Sequence, residues 1–263
     1  MKSATILLVK ISAVIITFNE EAKVALAIES VAWADEIIVV DSESSDRTPE
    51  IAEAAGARVI IRKWEGFSGQ KQLAVDQAEN DWVFSLDADE RVSQDLRNEI
   101  LALKVGNMSA DGYRIPRMSI YMDVPIRHGG WYPDCQLRLF NRTKGRWKNV
   151  LVHESFQMDD GAQTATLAGD ILHYSVENAA HHHQMIGERY APLAARQMFA
   201  DGRRASRLKI ALAGPAAFVR TYILKAGFLD GLPGFVIAKF AAHHAFLKQT
   251  MLWELQHSKT NVK

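Results

Sequence analysis

Apolar positions in the first half of the chain follow two alternating rhythms. Short β-branched runs are separated by stretches with apolar residues three and four apart. Ile11-Ser12-Ala13-Val14-Ile15-Ile16-Thr17 is apolar almost throughout and stops at Phe18-Asn19-Glu20, which predicts a buried strand ending in a polar turn. Glu21 to Val31 has helical spacing, with Ala22, Ala25, Leu26, Ile28 and Val31 apolar. Glu36-Ile37-Ile38-Val39-Val40 predicts a second strand ending at Asp41. A polar loop follows, and Thr48-Pro49-Glu50 opens a helix with Thr48 as the N-cap and Pro49 in the first turn. That helix stops at Gly56. Arg58 to Ile61 predicts a third strand, Gln70 to Ala78 a helix, and Asp81 to Leu86 a fourth strand. The order β-α-β-α-β-α-β is that of a parallel sheet with helices on both faces, an α/β class.

Beyond this point the texture changes. Arg91 to Leu103 predicts a helix with Leu96, Ile100 and Leu103 inward. Tyr113 to Arg117 and Gln136 to Phe140 alternate as strands do, with a loop at Gly129-Gly130-Trp131-Tyr132-Pro133 between them. From Ser175 onward the pattern is helical. Gly214-Pro215 and Gly231-Leu232-Pro233-Gly234 are expected to break it into at least three helices.

Charge changes this picture more than composition does. The 263 residues carry 31 basic and 31 acidic side chains, yet ten of the basic ones and only two acids, Asp230 and Glu254, lie from Arg203 onward. An acidic body with a basic tail points to an anionic partner surface for the tail, a membrane leaflet or a nucleic acid. The lone Cys135 excludes an internal disulfide and fits a reducing compartment. No secretory leader and no membrane-spanning run are expected from the apolar pattern.

The candidate chemistry begins at Val83-Phe84-Ser85-Leu86-Asp87-Ala88-Asp89-Glu90. A buried strand that ends in Asp-x-Asp places two carboxylates at its carboxyl end, where open α/β sheets bind ligands. A hard divalent cation, Mg²⁺ or Mn²⁺, would relieve their repulsion and would in turn favour a diphosphate. An acidic helix N-terminus is the other reading of the same octapeptide.

Three motifs in order, Thr17-Phe18-Asn19-Glu20, Val39-Val40-Asp41-Ser42-x-Ser44-x-Asp46-x-Thr48 and Leu86-Asp87-Ala88-Asp89-Glu90, resemble glycosyltransferase family 2, inverting sugar transferases with the Rossmann-like GT-A fold. Further stretches are similar to bacterial lipopolysaccharide-core β-1,4-glucosyltransferases. They are Ser30-Val31-Ala32-Trp33-Ala34-Asp35-Glu36, Gly66-Phe67 with Gln70 to Ala74, Trp131-Tyr132-Pro133-Asp134 with Gln136 to Phe140, Val152-His153-Glu154, and Gly227 to Gly231. The resemblance implies a mixed, mainly parallel sheet with a helical C-terminal appendage. It places a GT-A nucleotide-sugar-binding catalytic domain at 1–172. A helical region at 173–263 would lie on the membrane surface.

By resemblance, Asp41 accepts a hydrogen bond from uracil N–H, and Thr17, Asn19, Glu20 and Ser44 line the donor pocket. Lys71 stands where many relatives carry Arg, followed here by Gln72 instead of Asn, and is expected at a donor phosphate or ribose. Asp89 is the expected metal ligand, with Asp87 at the ribose or, through water, at the metal, and His153 as a further ligand. An inverting transfer needs a base on the sugar face opposite the nucleotide. Asp134 matches that position although Pro133 replaces the usual Glu, and Glu154 is the alternative.

Three other features stay open. His181-His182-His183 cannot chelate one ion well from a helix, because adjacent residues point in different directions, and reads as a solvated or acceptor-facing stretch. Arg114, Arg117 and Arg127 fit either acceptor phosphates or solvated strand faces. The tail's apolar helices, punctuated by Lys209, Arg220, Lys225, Lys239 and Lys248, fit a membrane-surface helix, or docking or dimerisation. The resemblance then implies a UDP-sugar donor, UDP-glucose foremost, and a divalent cation. The acceptor is a glycolipid in the heptose region of a lipopolysaccharide core. The place is the cytoplasm, peripheral on the inner membrane, with no nucleic acid partner. Transfer to a polyprenyl phosphate and a non-catalytic nucleotide-sugar scaffold are the alternatives.

Overall fold

Strand β1 (Ile11–Thr17) is almost wholly buried, and its successive side chains feed two different cores. The computed structural model describes residues 8–106, 108–148 and 155–258. Ile11, Ala13 and Ile15 of β1 pack in one cluster, and Val14 in the other. β2 (Glu36–Asp41) divides the same way, with Val39 on the first side and Ile38 and Val40 on the second. This is the two-residue period of a strand covered on both faces, and it explains why the runs read as continuously apolar.

Helices α1 (Val24–Ser30), α2 (Thr48–Ala54), α3 (Phe67–Asp76) and α4 (Gln94–Gly106) supply the other halves of these cores. Val24, Ala27, Ile28, Ala52, Leu96 and Ile100 join the first cluster, and Ala74 and Val75 the second. With β3 (Arg58–Ile61) and β4 (Trp82–Asp87), four strands run parallel in the order β3-β2-β1-β4.

The sheet continues with a change of direction. β5 (Glu90–Val92), β6 (Gly112–Tyr121), β8 (Asp134–Asn141) and β12 (Ile171–His173) extend it as β4-β8-β6-β12-β5. The pairs β4·β8, β6·β8 and β12·β5 are antiparallel. β11 (Thr164–Thr166) lies parallel to β6, and β9 (Gly145–Trp147) pairs with β10 (Phe156–Met158) as a separate ribbon. The result is a mixed sheet with helices on both faces.

Local details depart from the pattern reading in three places. The helix expected from Arg91 starts at Gln94, because Glu90–Val92 is recruited as a strand by residues 171–173, a partner invisible in the local period. Thr48 is the first helical residue and not the cap. Asp46 accepts from Thr48 N–H at 3.0 Å, and Thr48 Oγ1 accepts from Glu20 N–H at 2.8 Å. α3 begins at Phe67, three residues early, after Gly66 at φ 91°.

The chain divides into two units, Met1–Arg117 with Asp134–His173, and Met118–Pro133 with Tyr174–Lys263. In the second, β7 (Val124–Pro125) pairs with the end of β6, and the rest is helical. Its helices are α5 (Ala179–Gln184), a π-helical stretch Met185–Tyr190, α6 (Ala191–Ala200), α7 (Arg207–Phe218), a second π-helical stretch Val219–Leu224, and α8 (Gly231–His257). Gly214-Pro215 does not break the helix. α7 runs through Pro215, and the π-helical stretch follows within one turn, where a helix ladder interrupted by proline readjusts. Gly214 faces α8, where a Cβ would stand in ordinary contact with Ala242 O at 3.4 Å. Gly231 to Gly234 forms the first turn of α8. Among the described residues, no helix is long and apolar enough to cross a membrane.

Candidate active site

The parallel strands bring the first motif residues together by register. Thr17 at the end of β1 lies opposite Asp41 at the end of β2, and Ile16 lies opposite Asp87 at the end of β4. Asp41 is fully buried. Its Oδ2 accepts from Thr17 Oγ1 at 2.8 Å and from Ser44 Oγ at 2.6 Å, and its Oδ1 accepts from Ser44 N–H at 2.8 Å. A carboxylate offers about four acceptor positions, so one remains on Oδ1. The β1 and β2 exits are tied to each other: Asn19 N–H donates to Ser44 Oγ, and Ser45 N–H to Asn19 Oδ1, both at 2.8 Å. Asn19 holds φ 53°, a left-handed conformation that asparagine tolerates better than most residues. Glu20 is half-buried beside Lys23 at 3.4 Å.

Beside this edge runs a row of alternating charges. Lys71 of α3 meets Asp87 Oδ1 at 2.8 Å, and Arg138 Nη2 of β8 meets Asp87 Oδ2 at 2.8 Å. Arg138 Nη2 also reaches Glu90 Oε1 at 2.7 Å, and Arg117 Nη1 of β6 approaches the same oxygen at 3.4 Å. Arg117 closes the row on Asp134 at the start of β8, through Nε at 3.0 Å and Nη2 at 2.5 Å. The sequence of signs is plus, minus, plus, minus, plus, minus from Lys71 to Asp134. Arg138 and Glu90 are buried, and Glu90 also accepts the backbone N–H of Asp87 at 3.0 Å. Buried charges of this kind persist only when each is answered by its opposite.

The electrostatics follow from that row. Burial alone would raise the Asp87 carboxyl, but Arg138 and Lys71 hold it well below the usual carboxylate range. Burial would likewise lower Arg138, but Asp87 and Glu90 keep its guanidinium charged. Asp134 is half-exposed. Burial works to raise it, and the charge and hydrogen bonds of Arg117 with the Gln136 amide carry it below the ordinary value. Among the described residues, the buried Arg138 Nη1 has no hydrogen-bond partner, and Asp87 Oδ1 meets Lys71 Nζ at 2.8 Å. Lys71 is buried and also stands 5.0 Å from the ring centre of Trp147.

Asp89 points elsewhere, to His173 Nε2 at 3.4 Å. The antiparallel register that sets His173 opposite Glu90 produces this approach. A carboxylate and an imidazole are a donor set suited to Mn²⁺, and Mg²⁺-type sites commonly take one or two protein ligands with substrate phosphates and water completing the shell. No group of three or more such ligands occurs among the described residues, so the pair fits a cation shared with a phosphorylated substrate and not a closed protein cage. His153 and Glu154 lie outside the described residues.

The sequence model of the family described as "Glycosyl transferase family 2" matches residues 12–157, which contain Thr17, Asp41, Lys71, Asp87, Asp89 and Asp134. The chain belongs to glycosyl transferase family 2. An uncharacterized glycosyltransferase of Rickettsia bellii (strain RML369-C) is 32% identical over 262 residues, 94% of this chain and 87% of that one. The lipopolysaccharide core biosynthesis glycosyltransferase LpsC of Rhizobium meliloti (strain 1021) is 32% identical over 251 residues, 93% of this chain and 92% of that one. Among solved structures, glucosyl-3-phosphoglycerate synthase from Mycobacterium tuberculosis, in complex with Mn²⁺, uridine diphosphate and glucosyl-3-phosphoglycerate, is 25% identical with a TM-score of 0.35, over 43% of this chain and 44% of that one.

Within this glycosyltransferase, the structure places four side chains at the site that pattern reading left aside. Glu90 and Arg138 were only parts of motifs, Arg117 was open between two roles, and His173 was not considered. A signal existed for one of them: Arg138 shares one face of a strand with Asp134 and Gln136 by their two-residue spacing. Gln70, not Gln72, braces the donor edge. Buried Gln70 donates to Ser42 Oγ at 3.2 Å and to the carbonyls of Arg62 and Lys63, whereas Gln72 turns to Asp76 and to the Trp147 N–H. Arg114 and Arg127 are exposed. Of the three histidines, His183 is exposed and His181 half-exposed, but His182 is not solvated. His182 is buried against Tyr121, Trp131 and Phe240 and lies 3.1 Å from Tyr121 O–H, because the helical period turns only the middle residue inward.

Proposed function

We propose that this glycosyltransferase moves a hexose, glucose foremost, from a UDP-sugar to a hydroxyl of a lipopolysaccharide inner-core acceptor, with inversion at the anomeric carbon. The observation that carries the reading is the row of charges from Lys71 to Asp134, which joins the donor edge to an ionised carboxylate in reach of an acceptor. At one end Asp41, with Thr17, Asn19 and Ser44 fixing its turn, holds the nucleobase. Lys71 and the unpartnered Nη1 of Arg138 present positive charge where a departing diphosphate gains negative charge.

At the other end Asp134 takes the acceptor proton. Its lowered basicity is adequate, because a hydroxyl becomes strongly acidic as it bonds to a sugar carbon bearing cationic character. Arg117 takes both acceptor positions of Oδ2 and Gln136 one of Oδ1, which leaves a lone pair on Oδ1 for that proton. Asp89 and His173 would hold a divalent cation, Mg²⁺ or Mn²⁺, which when bound supplies Lewis-acid stabilisation of the diphosphate. Asp87 would meet the donor ribose, or the cation through water. Leu208, Leu212, Leu224, Leu229 and Leu232 are exposed in the basic helical unit, which supports peripheral attachment to the cytoplasmic face of a membrane.

The test is release of UDP from UDP-glucose with Mg²⁺ or Mn²⁺, with and without a heptose-bearing lipopolysaccharide acceptor, and the anomeric proton coupling of the product. Acceptor-dependent UDP release and a β-linked product are expected. An α-linked product, or transfer only to a polyprenyl phosphate, would overturn the reading. Absence of any donor turnover would leave a nucleotide-sugar-binding protein.

A further inference from the structure

The helical unit holds a second cluster of charge that the transfer reaction does not use. Where α7 and the π-helical stretch after it pack on α8, the facing residues are small: Ala216, Ala217, Ala241 and Ala245. They leave a cavity of about 400 Å³, within the range of small-molecule sites. Arg220, Lys225 and Lys248 line it, together with His244 and the buried Thr221. None of the three cations forms an ion pair among the described residues. The two acids from Arg203 onward do not line the cavity, and Asp230 is taken up by His128 at 2.7 Å.

Three like charges in one cavity without a carboxylate work against folding. The strain is visible at Lys248, whose ammonium is pushed down by burial and by the positive charges of Arg203 and Arg220. His244 adds a buried Nε2 that has no hydrogen-bond partner among the described residues. The Lys225 carbonyl accepts from Gly129 N–H at 2.9 Å, and its side chain runs against Gly130, in space that a Cβ there would take. The cluster therefore gathers three cations with no carboxylate lining the cavity.

We propose that this cavity binds a phosphate group, with Arg220, Lys225 and Lys248 as its cationic walls and Thr221 as a hydroxyl donor. A tetrahedral anion of high charge offers each cation an oxygen, and a lysine and an arginine are the side chains used for that purpose elsewhere. The group arrives either as a free phosphoryl anion or on a lipid headgroup. Both sources present the same phosphoryl oxygens, so inorganic phosphate probes the site whichever supplies it.

The test is the melting temperature of the full chain titrated with inorganic phosphate, against potassium chloride at equal ionic strength. Phosphate should raise it in a saturable way that chloride does not match. Lys248→Met should melt higher than wild type without phosphate and lose the phosphate response, and Arg220→Gln should weaken it at least tenfold. Lys239→Gln, a cation outside the cavity, should keep it. If a charge variant fails to fold, Ala245→Leu serves, since it keeps every charge and fills the cavity. An equal effect of chloride, or an undiminished phosphate response in Lys248→Met or in folded Ala245→Leu, would overturn the proposal. Flotation with phosphatidylcholine vesicles, plain or doped with phosphatidic acid, then assigns the source. A Lys248→Met defect in recruitment to the doped vesicles points to the headgroup, and unchanged recruitment points to the free anion.

Discussion

Arg117 donates two hydrogen bonds to a single oxygen of Asp134, its direct cross-strand partner on β6 and β8. A carboxylate held this way is aimed, ionised and lowered in basicity at once, and we propose it as the base. Asp134→Asn is expected to lower kcat by roughly 10²–10⁴-fold, the usual worth of general-base catalysis, with donor binding unchanged. Arg117→Gln removes the charge that depresses Asp134, so its carboxyl rises and the acidic limb of kcat/KM moves to higher pH. Arg117→Lys should restore the position of that limb in part, since a lysine keeps the charge and loses the fork. A pH–rate profile unmoved in Arg117→Gln would remove Asp134 from the role of base.

The approach of Asp89 and His173 makes a separate prediction. Their register depends on β5 and β12, not on the donor edge, so either side chain can be lost with the fold intact. His173→Ala and Asp89→Asn should each raise the Mn²⁺ concentration needed for half-maximal activity. The increase should be at least comparable to the roughly 10–100-fold effect of losing a ligand's outer partner. Mn²⁺ paramagnetic line broadening of bound UDP gives the same answer without turnover. Equal metal dependence in His173→Ala would exclude it as a ligand.

What could be read in the chain was whatever depends on local period. The four parallel strands, their helices and the edge carrying Thr17, Asp41 and Asp87 follow from alternation of β-branched runs and helical spacing. His173 could not be read that way: residues 171–173 become a strand by lying between β6 and residues 90–92, the latter about eighty positions away. Glu90 was counted as one more acid after Asp-x-Asp, and only tertiary structure shows it buried between two arginines. Pro215 misled for the opposite reason. Its local rule is sound, but the packing of α7 on α8 and the π-helical stretch beyond it absorb the interruption.

His182 makes stability depend on pH. Burial, then the charge of His181, pushes its pKa down from 6.5 to about 4. Between those values the unfolded chain takes up a proton that the folded one refuses, so stability falls as pH drops through this window. From pH 7 to pH 5 this one group removes about 2 kcal/mol, taking 1.36 kcal/mol for each pH unit over which the proton is excluded. Urea unfolding at both pH values checks it. His182→Phe keeps the aromatic packing against Tyr121 and Phe240 and should shrink the pH 5 loss by about that amount. A loss of equal size in the variant would place the acid sensitivity elsewhere.

The exposed leucines of the helical unit set the last test. Leu224 is 76% exposed and Leu229 60% exposed, on a segment that also carries Arg220 and Lys225. Apolar surface of this extent beside cations is the composition of a helix that lies in a membrane interface. Inserting a leucine side chain is worth about 1.5–3 kcal/mol, so replacing one by Glu should weaken vesicle binding at least tenfold, and more as charge repulsion from anionic lipid adds to the lost burial. Leu224→Glu and Leu229→Glu should therefore lose co-sedimentation with phosphatidylglycerol vesicles. Leu101→Glu, an exposed leucine of the catalytic unit, should retain it. Raised salt should weaken wild-type binding without abolishing it, because the basic residues are screened and the leucines are not. Wild-type recruitment by the two tail variants would assign the apolar face to a protein contact.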